Sequence, residues 1–284
     1  MTPFSKPYIG VTGYTTVEQI NRVHRAVASH VGDHRLMDGV LIWSHDVNAQ
    51  WSDDRVSVPV NLAKRFMAVD EAERLFAAPS GGSLRMIHLR TAVPVRLDEQ
   101  LADCTTRFGV HVGGFQINWL AQPSPGELAD FRSVFDAQRL AAGLSPSALV
   151  LQLHPRVLEN AEKSAGVLKY VEPYVNASAI SHVLYDPSGG QGVAFDPQVA
   201  VAMSRELRRA FPELNLGVAG GLSPDNIEAN VSPVWREDPT ISIDVEGRVR
   251  TTDDDLDISL AARFVSKAQG LNHRLRIDLN ATDR

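Results

Sequence analysis

The sequence predicts a single (β/α)8 TIM barrel, and three observations carry that expectation. Eight short apolar runs recur along 284 residues, each followed by a polar turn and a stretch of helical period. The runs are nearly continuous in apolar character rather than alternating, as strands of a parallel sheet covered on both faces must be. The count of eight favours a closed barrel over a doubly wound open sheet.

The strands are expected at 8–12 (YIGVT), 39–43 (GVLIW), 84–89 (LRMIHL), 114–118 (GFQIN), 148–153 (ALVLQL), 181–185 (SHVLY), 214–219 (LNLGVA) and 241–245 (ISIDV). Between them lie helical segments with recognisable ends. TTVEQINRVHRAVASHV opens with Thr15 and places Glu18 three residues on, the pattern of a capping box. SPGELADFRSVFDAQRLAAG has Pro and Glu early and Gly143 at its close. DPQVAVAMSRELRRAF and LDISLAARFVSKAQG carry their basic residues late. No Pro/Ser-rich linker or low-complexity tract interrupts the series, so residues 1–270 are read as one barrel and 271–284, LNHRLRIDLNATDR, as a polar C-terminal tail.

Composition narrows the class of function. With 44% hydrophobic and 22% charged residues the chain can fill a core. A net charge of −6 offers no basic field for nucleic acid or anionic lipid. One cysteine, Cys104, excludes an internal disulfide and fits a reducing compartment. The N-terminal stretch lacks the apolar core of a signal peptide, and no apolar run approaches the ~20 residues of a membrane span. The expectation is a cytoplasmic protein, monomer or homodimer, that takes a small molecule and neither nucleic acid nor membrane.

In such barrels chemistry sits at the C-terminal ends of strands and in the loops that follow. That rule selects Thr12 and Gly13, then Ser44, His45 and Asp46, then His88 and Arg90, then Gln116 and Asn118. It continues with Gln152 and His154, with Asp186 and its glycine turn, with Gly220 and Gly221, and with Asp244 and Glu246. In GVAGGLSPDNIEA (217–229) a strand ends in two glycines and Ser223, Pro224 and Asp225 begin a helix. Backbone amides freed there make either a phosphate cradle or simply a well-capped turn. No spacing of His, Asp or Glu resembles a metal-ligand motif, so no metal or other cofactor is expected.

The chain resembles the phosphoribosylanthranilate isomerase family, a (β/α)8 family of tryptophan biosynthesis, across most of its length. The family's sixth strand ends in an acid followed by GGTGKxFDW. YDPSGGQGVAFDP matches it at Asp186, Gly189, Gly190, Gly192, Phe195 and Asp196. AGGLSPDNI (219–227) matches the family's AGGLxPxNV; SIDVEGRVR echoes GVDVSSGVE, and FQINW faintly echoes VQLHG. The resemblance implies an Amadori rearrangement of an aminoaldose phosphate, with Asp186 as acid, Gly190, Gly192 and Gln116 against the substrate, and Gly220, Gly221 and Gly247 around its phosphate.

Departures from the family pattern bear on the reaction. The family's catalytic cysteine falls at Thr12, whose hydroxyl is no base at neutral pH without a partner. The only cysteine, Cys104, belongs to a helix after strand three and is read as a small buried residue. The family's loop lysine is Val193, and its SSG becomes Glu246, Gly247 and Arg248, putting a carboxylate where a phosphate would sit. SDDRVS (52–57) places Arg55 near the family's carboxylate-binding arginine.

The leading expectation is a divergent enzyme of this fold acting on a ribose-type sugar or sugar phosphate by ring opening, isomerisation or glycosidic cleavage. Asp186 is its general acid or base, and Glu246 a second carboxylate across the barrel mouth. One alternative is the family reaction itself with His45 or His154 in place of the cysteine. The other is a non-catalytic paralogue that binds a metabolite or a partner.

Overall fold

The computed structural model describes residues 6–27, 33–53, 62–93, 95–117, 123–153, 155–160, 164–188 and 192–282. Eight parallel strands close in sequence order: β1 (Tyr8–Thr12), β2 (Arg35–Trp43), β3 (Leu84–Arg90), β4 (Gly114–Ile117), β5 (Ala148–Leu153), β6 (His182–Tyr185), β7 (Asn215–Ala219) and β8 (Ser242–Val245). β8 returns to β1 in parallel register, with Gly10 opposite Asp244. Every expected strand is present. β2 begins four residues earlier than its apolar run, because residues 35–38 pair in register with Tyr8–Val11 of β1; Asp38 is buried there, bonded to His24 of α1 (Val17–Ala26) and accepting from Ser83.

Two apolar layers hold the barrel together. Inside it, Tyr8, Met37, Leu84, Met86, Ala148, Val150, Leu184 and Ala219 fill the lower lumen. Outside it, alternate strand residues such as Ile9, Val40, Phe115 and Val218 meet the helix faces. The period-2 alternation of a strand sorts the two sets. Near the top of the lumen the inward residues turn polar, which makes that end a site and the rest a core.

The helices end as their sequences require. α5 (Pro125–Ala141) is capped by Ser124, which accepts from the Glu127 amide, and Gly143 stands just past its end at φ 74°. α8 (Pro197–Ala210) is capped by Asp196. At α1 the cap is Thr16, accepting from the Gln19 amide, so the expected Thr15–Glu18 box is displaced by one residue. Gln19 reaches back to Thr15 instead. Cys104 is fully buried on α4 (Leu97–Phe108), and burial pushes its thiol far up.

Residues 271–282 differ from the expected polar tail. They continue α10 (Ile258–Thr282), and Leu271 and Leu275 are buried. Charged residues flank the buried positions Leu271, Asn272 and Leu275, so the inward stripe is short and easily missed. No helix among the described residues is long and apolar enough to cross a membrane.

Candidate active site

A cavity of about 170 Å³ opens at the C-terminal end of the barrel. Its walls come from the ends of the strands: Trp43 of β2, His88 and Arg90 of β3, Gln116 of β4, Gln152 of β5, and Asp244 of β8. Asp186, Ser188 and Gly192 after β6 join them, as do Gly220 and Gly221 after β7, and Glu246, Gly247 and Arg248 after β8.

One flank of this ring is a hydrogen-bonded ladder. Gln116 Nε2 donates to Gln152 Oε1 at 3.2 Å, and Gln152 Nε2 donates to Asp186 Oδ2 at 2.6 Å. The Ser188 amide and hydroxyl donate to Asp186 Oδ1 at 3.0 and 2.7 Å. These bonds fix Asp186, which stays 6% exposed, toward the cavity. Gln116 Oε1 and Trp43 Nε1 are buried and have no hydrogen-bond partner among the described residues. A buried polar atom without a partner is costly, and both of these belong to residues that line the cavity.

The opposite flank carries a second carboxyl. Thr12 Oγ1 lies 3.0 and 3.1 Å from the two oxygens of Asp244 and 3.4 Å from His88 Nε2. Burial pushes the Asp244 carboxyl up to about 8, the nearby charges of Glu246 and Asp186 add to the rise, and the Thr12 hydrogen bond opposes it. Asp244 is therefore a neutral acid at neutral pH. Burial also pushes the His88 imidazole down to about 3, so it is uncharged.

The glycine face is built by close packing. A side chain at Gly221 (φ 58°) would meet backbone atoms of Val193 and Ala194 at 2.6 and 2.5 Å. At Gly220 (φ 116°) a Cβ would come within 3.4 Å of Asp186 Oδ1. The loop after β6 thus lies directly against the turn after β7. Arg248 adds a strap, donating to the Gly192 carbonyl at 3.0 and 3.1 Å. The amides of Asp225 and Asn226 are satisfied by Ser223, and that of Ser223 by Asn226. The turn before α9 (Ile227–Glu237) is thus closed on itself, while no side chain caps the first turn of the helix.

Glu246 is not a free carboxylate. Arg65 Nη1 donates to it at 2.7 Å, and the same guanidinium grips Asp254 by Nε and Nη2, each at 2.8 Å. Arg65 thereby ties the segment after β2 to the loop after β8 and offsets the repulsion Glu246 would exert on an anion.

Of the residues selected from the sequence, Asp186, Gln116, Gly192, Gly220, Gly221, Glu246 and Gly247 come together around the cavity. Thr12 lies beneath it, fully buried, touching Asp244 instead of lining the space. His45 is not among the lining residues: it sits on the short helix Ser44–Val47, 3.3 Å from Asp46 and packed on Trp43. His154, Arg55 and Gly190 lie outside the described residues. Glu246 lines the cavity with Asp186, as expected, but is engaged by Arg65, and a further carboxyl, Asp244, lines the same space. Strand parity carries the signal for Asp244: it has the inward phase of Ser242, whose hydroxyl receives the Tyr8 amide. Arg65 had no such signal, since it lies in an irregular segment. Among the described residues no three His, Cys, Asp or Glu are placed to hold a metal ion.

Comparison with known proteins bears on the same barrel end. The profile of the family described as N-(5'phosphoribosyl)anthranilate (PRA) isomerase matches residues 147–267, the part that contributes Gln152, Asp186, both glycine turns and Asp244. No curated protein sequence matches. Among solved structures, phosphoribosylanthranilate isomerase from Thermotoga maritima is 15% identical with a TM-score of 0.57, covering 93% of this chain and 99% of that one. TrpF from Jonesia denitrificans is 18% identical with a TM-score of 0.53, covering 93% and 98%. The catalytic domain of a chitinase from Pyrococcus furiosus is 13% identical with a TM-score of 0.55, covering 95% and 97%. At these identities the structures speak for the barrel alone. With the profile match over residues 147–267, the C-terminal part of the chain is similar to the phosphoribosylanthranilate isomerase family.

Proposed function

We propose that this chain is an acid–base enzyme that opens and isomerises a ribose-type sugar or its phosphate, with Asp186 as a general acid/base. The observation that carries this reading is the setting of Asp186. Three hydrogen bonds aim its carboxyl into a cavity lined by both polar and apolar residues, at the strand end where the family profile matches. The cavity also suits a sugar otherwise: Gln116, Gln152, Ser188 and Trp43 offer donors and acceptors for hydroxyls. A phosphate is accommodated by the glycine turn of Gly220 and Gly221 with Gly247 beside it, and Arg248 supplies a positive charge on the same rim.

The family relation points the same way. A solved isomerase that resembles this barrel holds reduced 1-(o-carboxyphenylamino)-1-deoxyribulose 5-phosphate. The family reaction with a histidine as base fits less well. His45 is not among the residues that line the cavity, burial keeps His88 neutral with little basicity, and His154 lies outside the described residues. A purely binding role would leave the constrained Asp186 without purpose.

The test is solvent exchange at the sugar's C2. Incubation with ribose 5-phosphate or ribose in D2O, followed by proton NMR, is expected to show enzyme-dependent loss of the C2 proton signal. D186N is expected to slow that loss by roughly 10²–10⁴-fold, the usual contribution of a positioned acid or base. No exchange with either sugar in the wild type, or equal exchange in D186N, would contradict the reading.

A further inference from the structure

We infer that Asp244 is the second proton carrier of this site, held in register by Thr12: with no ionisable group at that position on β1, Asp186 takes the proton from C2 and a carboxyl on β8 supplies the acid. The inference rests on the acid–base reading of Asp186 and supplies the partner that reading requires. Isomerisation needs two groups, one that gives a proton and one that takes one. The lumen brings two carboxyls to one cavity, Asp186 from the end of β6 and Asp244 from β8.

The geometry around Asp244 suits a group that changes protonation state. Thr12 Oγ1 reaches both of its oxygens, and a hydroxyl both donates and accepts. It can donate to the carboxylate and accept from the acid without moving. Gly10 on β1 leaves room for this: a Cβ there would lie 2.8 Å from Asp244 Oδ1. The charged and titratable groups that bear on Asp244 are Glu246 on its own chain segment, Asp186 from β6, and Tyr8 and Tyr14 on and after β1. Neutral His88 approaches Thr12 from β3. Glu246 is offset by Arg65. No cation is bonded to Asp244 among the described residues, and the acid form persists at neutral pH for that reason together with burial.

The Asp244 acid gives its proton to the ring oxygen as the C1–O bond breaks, and the bonding pair stays on that oxygen as a hydroxyl. The substituent at C1 stabilises the positive charge left there with its lone pair. The Asp186 carboxylate then takes the proton from C2, and the C–H pair forms the C1=C2 bond of an enol. In the collapse to the ketone the C2 hydroxyl returns its proton to the Asp244 carboxylate, while Asp186 returns the other proton to C1. Both side chains end as they began.

The experiment compares wild type, D186N, D244N, T12V and T12S by C2 exchange of ribose 5-phosphate in D2O across pH. Binding of ribose 5-phosphate and thermal melts are followed alongside to establish that each variant is folded. D244N is expected to lose roughly 10²–10⁴-fold in exchange while still binding the sugar. The wild-type rate is expected to fall on an alkaline limb near pH 8, where the acid form of Asp244 is lost. T12V removes a hydrogen bond that lowers this pKa, so its limb moves to higher pH, and T12S restores it. A merely structural Thr12 would not move the limb. Wild-type exchange in D244N, with D186N inactive, overturns the role of Asp244 and leaves that of Asp186 standing. An unshifted limb in T12V removes the positioning role of Thr12. No exchange in the wild type overturns the acid–base reading and the role of Asp244 with it.

Discussion

Asp244 shows what a functional residue does to stability. Its carboxyl titrates near 8 in the fold against about 4 in an unfolded chain, so the unfolded state ionises first as pH rises. Its contribution to stability is intact below about pH 4 and is lost progressively up to about pH 8. D244N, neutral throughout, escapes that loss. It is expected to match the wild type at pH 4 and to exceed it by more than about 1 kcal/mol at pH 8, as read from urea unfolding. Equal pH dependence of the two proteins would contradict the assignment. Arg65 teaches the converse at the same scale. R65M leaves Glu246 and Asp254 without their shared partner, and the contact is largely sheltered, with the guanidinium side chain 13% exposed. The expected loss is about 1–2 kcal/mol in the same measurement, lower than for a dry pair because Glu246 retains some water.

Among the elements, the strands were legible because burial on both faces writes an apolar run, and the structure returns all eight within a few residues. The ends of α5 and α8 were legible because their caps are local: Ser124, Asp196 and Gly143 act within a turn. The displaced cap at α1 was not, since Thr15 and Thr16 offer the same hydroxyl and the choice between them is set by Glu71, which receives the Val17 amide from a distant helix. The clip between α1 and β2 was equally silent in sequence. Burial alone would lower the His24 pKa, but the hydrogen bond and charge of Asp38 outweigh it despite opposition from Arg85, and the net shift is upward. A raised folded pKa gives stability that is full below the unfolded value and is lost as pH rises through the folded one. The wild type is therefore expected to melt above H24N at pH 5.5, with the gap closing by pH 8.5. The turn after β7 supports a third test. G221A forces a Cβ into the backbone at residues 192–194 at a left-handed φ and should cost about 2–4 kcal/mol, together with sugar binding.

The whole molecule reads as a barrel whose lower lumen is apolar and whose upper end is polar and chemically furnished. The sequence made the closed topology plain, together with nine of the strand-end residues that line the cavity, because both follow from periodicity. What it could not place were contacts between distant segments: Arg65 with Glu246, Thr12 with Asp244, and the last helix with its neighbours. α10 is instructive here. Its final residues carry enough Arg, Asp and Asn to look like solvent-facing tail, yet Leu271 and Leu275 are buried and α10 packs along α9 and α1. Deletion of residues 271–284 is therefore expected to cost up to about 3–6 kcal/mol through those two leucines, seen as a lowered melting temperature. An unchanged melt would restore the view of a dispensable tail.

The central claim is that one cavity holds a ribose-type sugar between two proton-carrying carboxyls. The most direct measurement is a crystal structure of the protein soaked with ribose 5-phosphate. The sugar is expected between Asp186 and Asp244, each within hydrogen-bonding reach of it, with the phosphate at Gly220 and Gly221. A sugar bound away from both carboxyls, or a cavity left without sugar at saturating concentration, would contradict it.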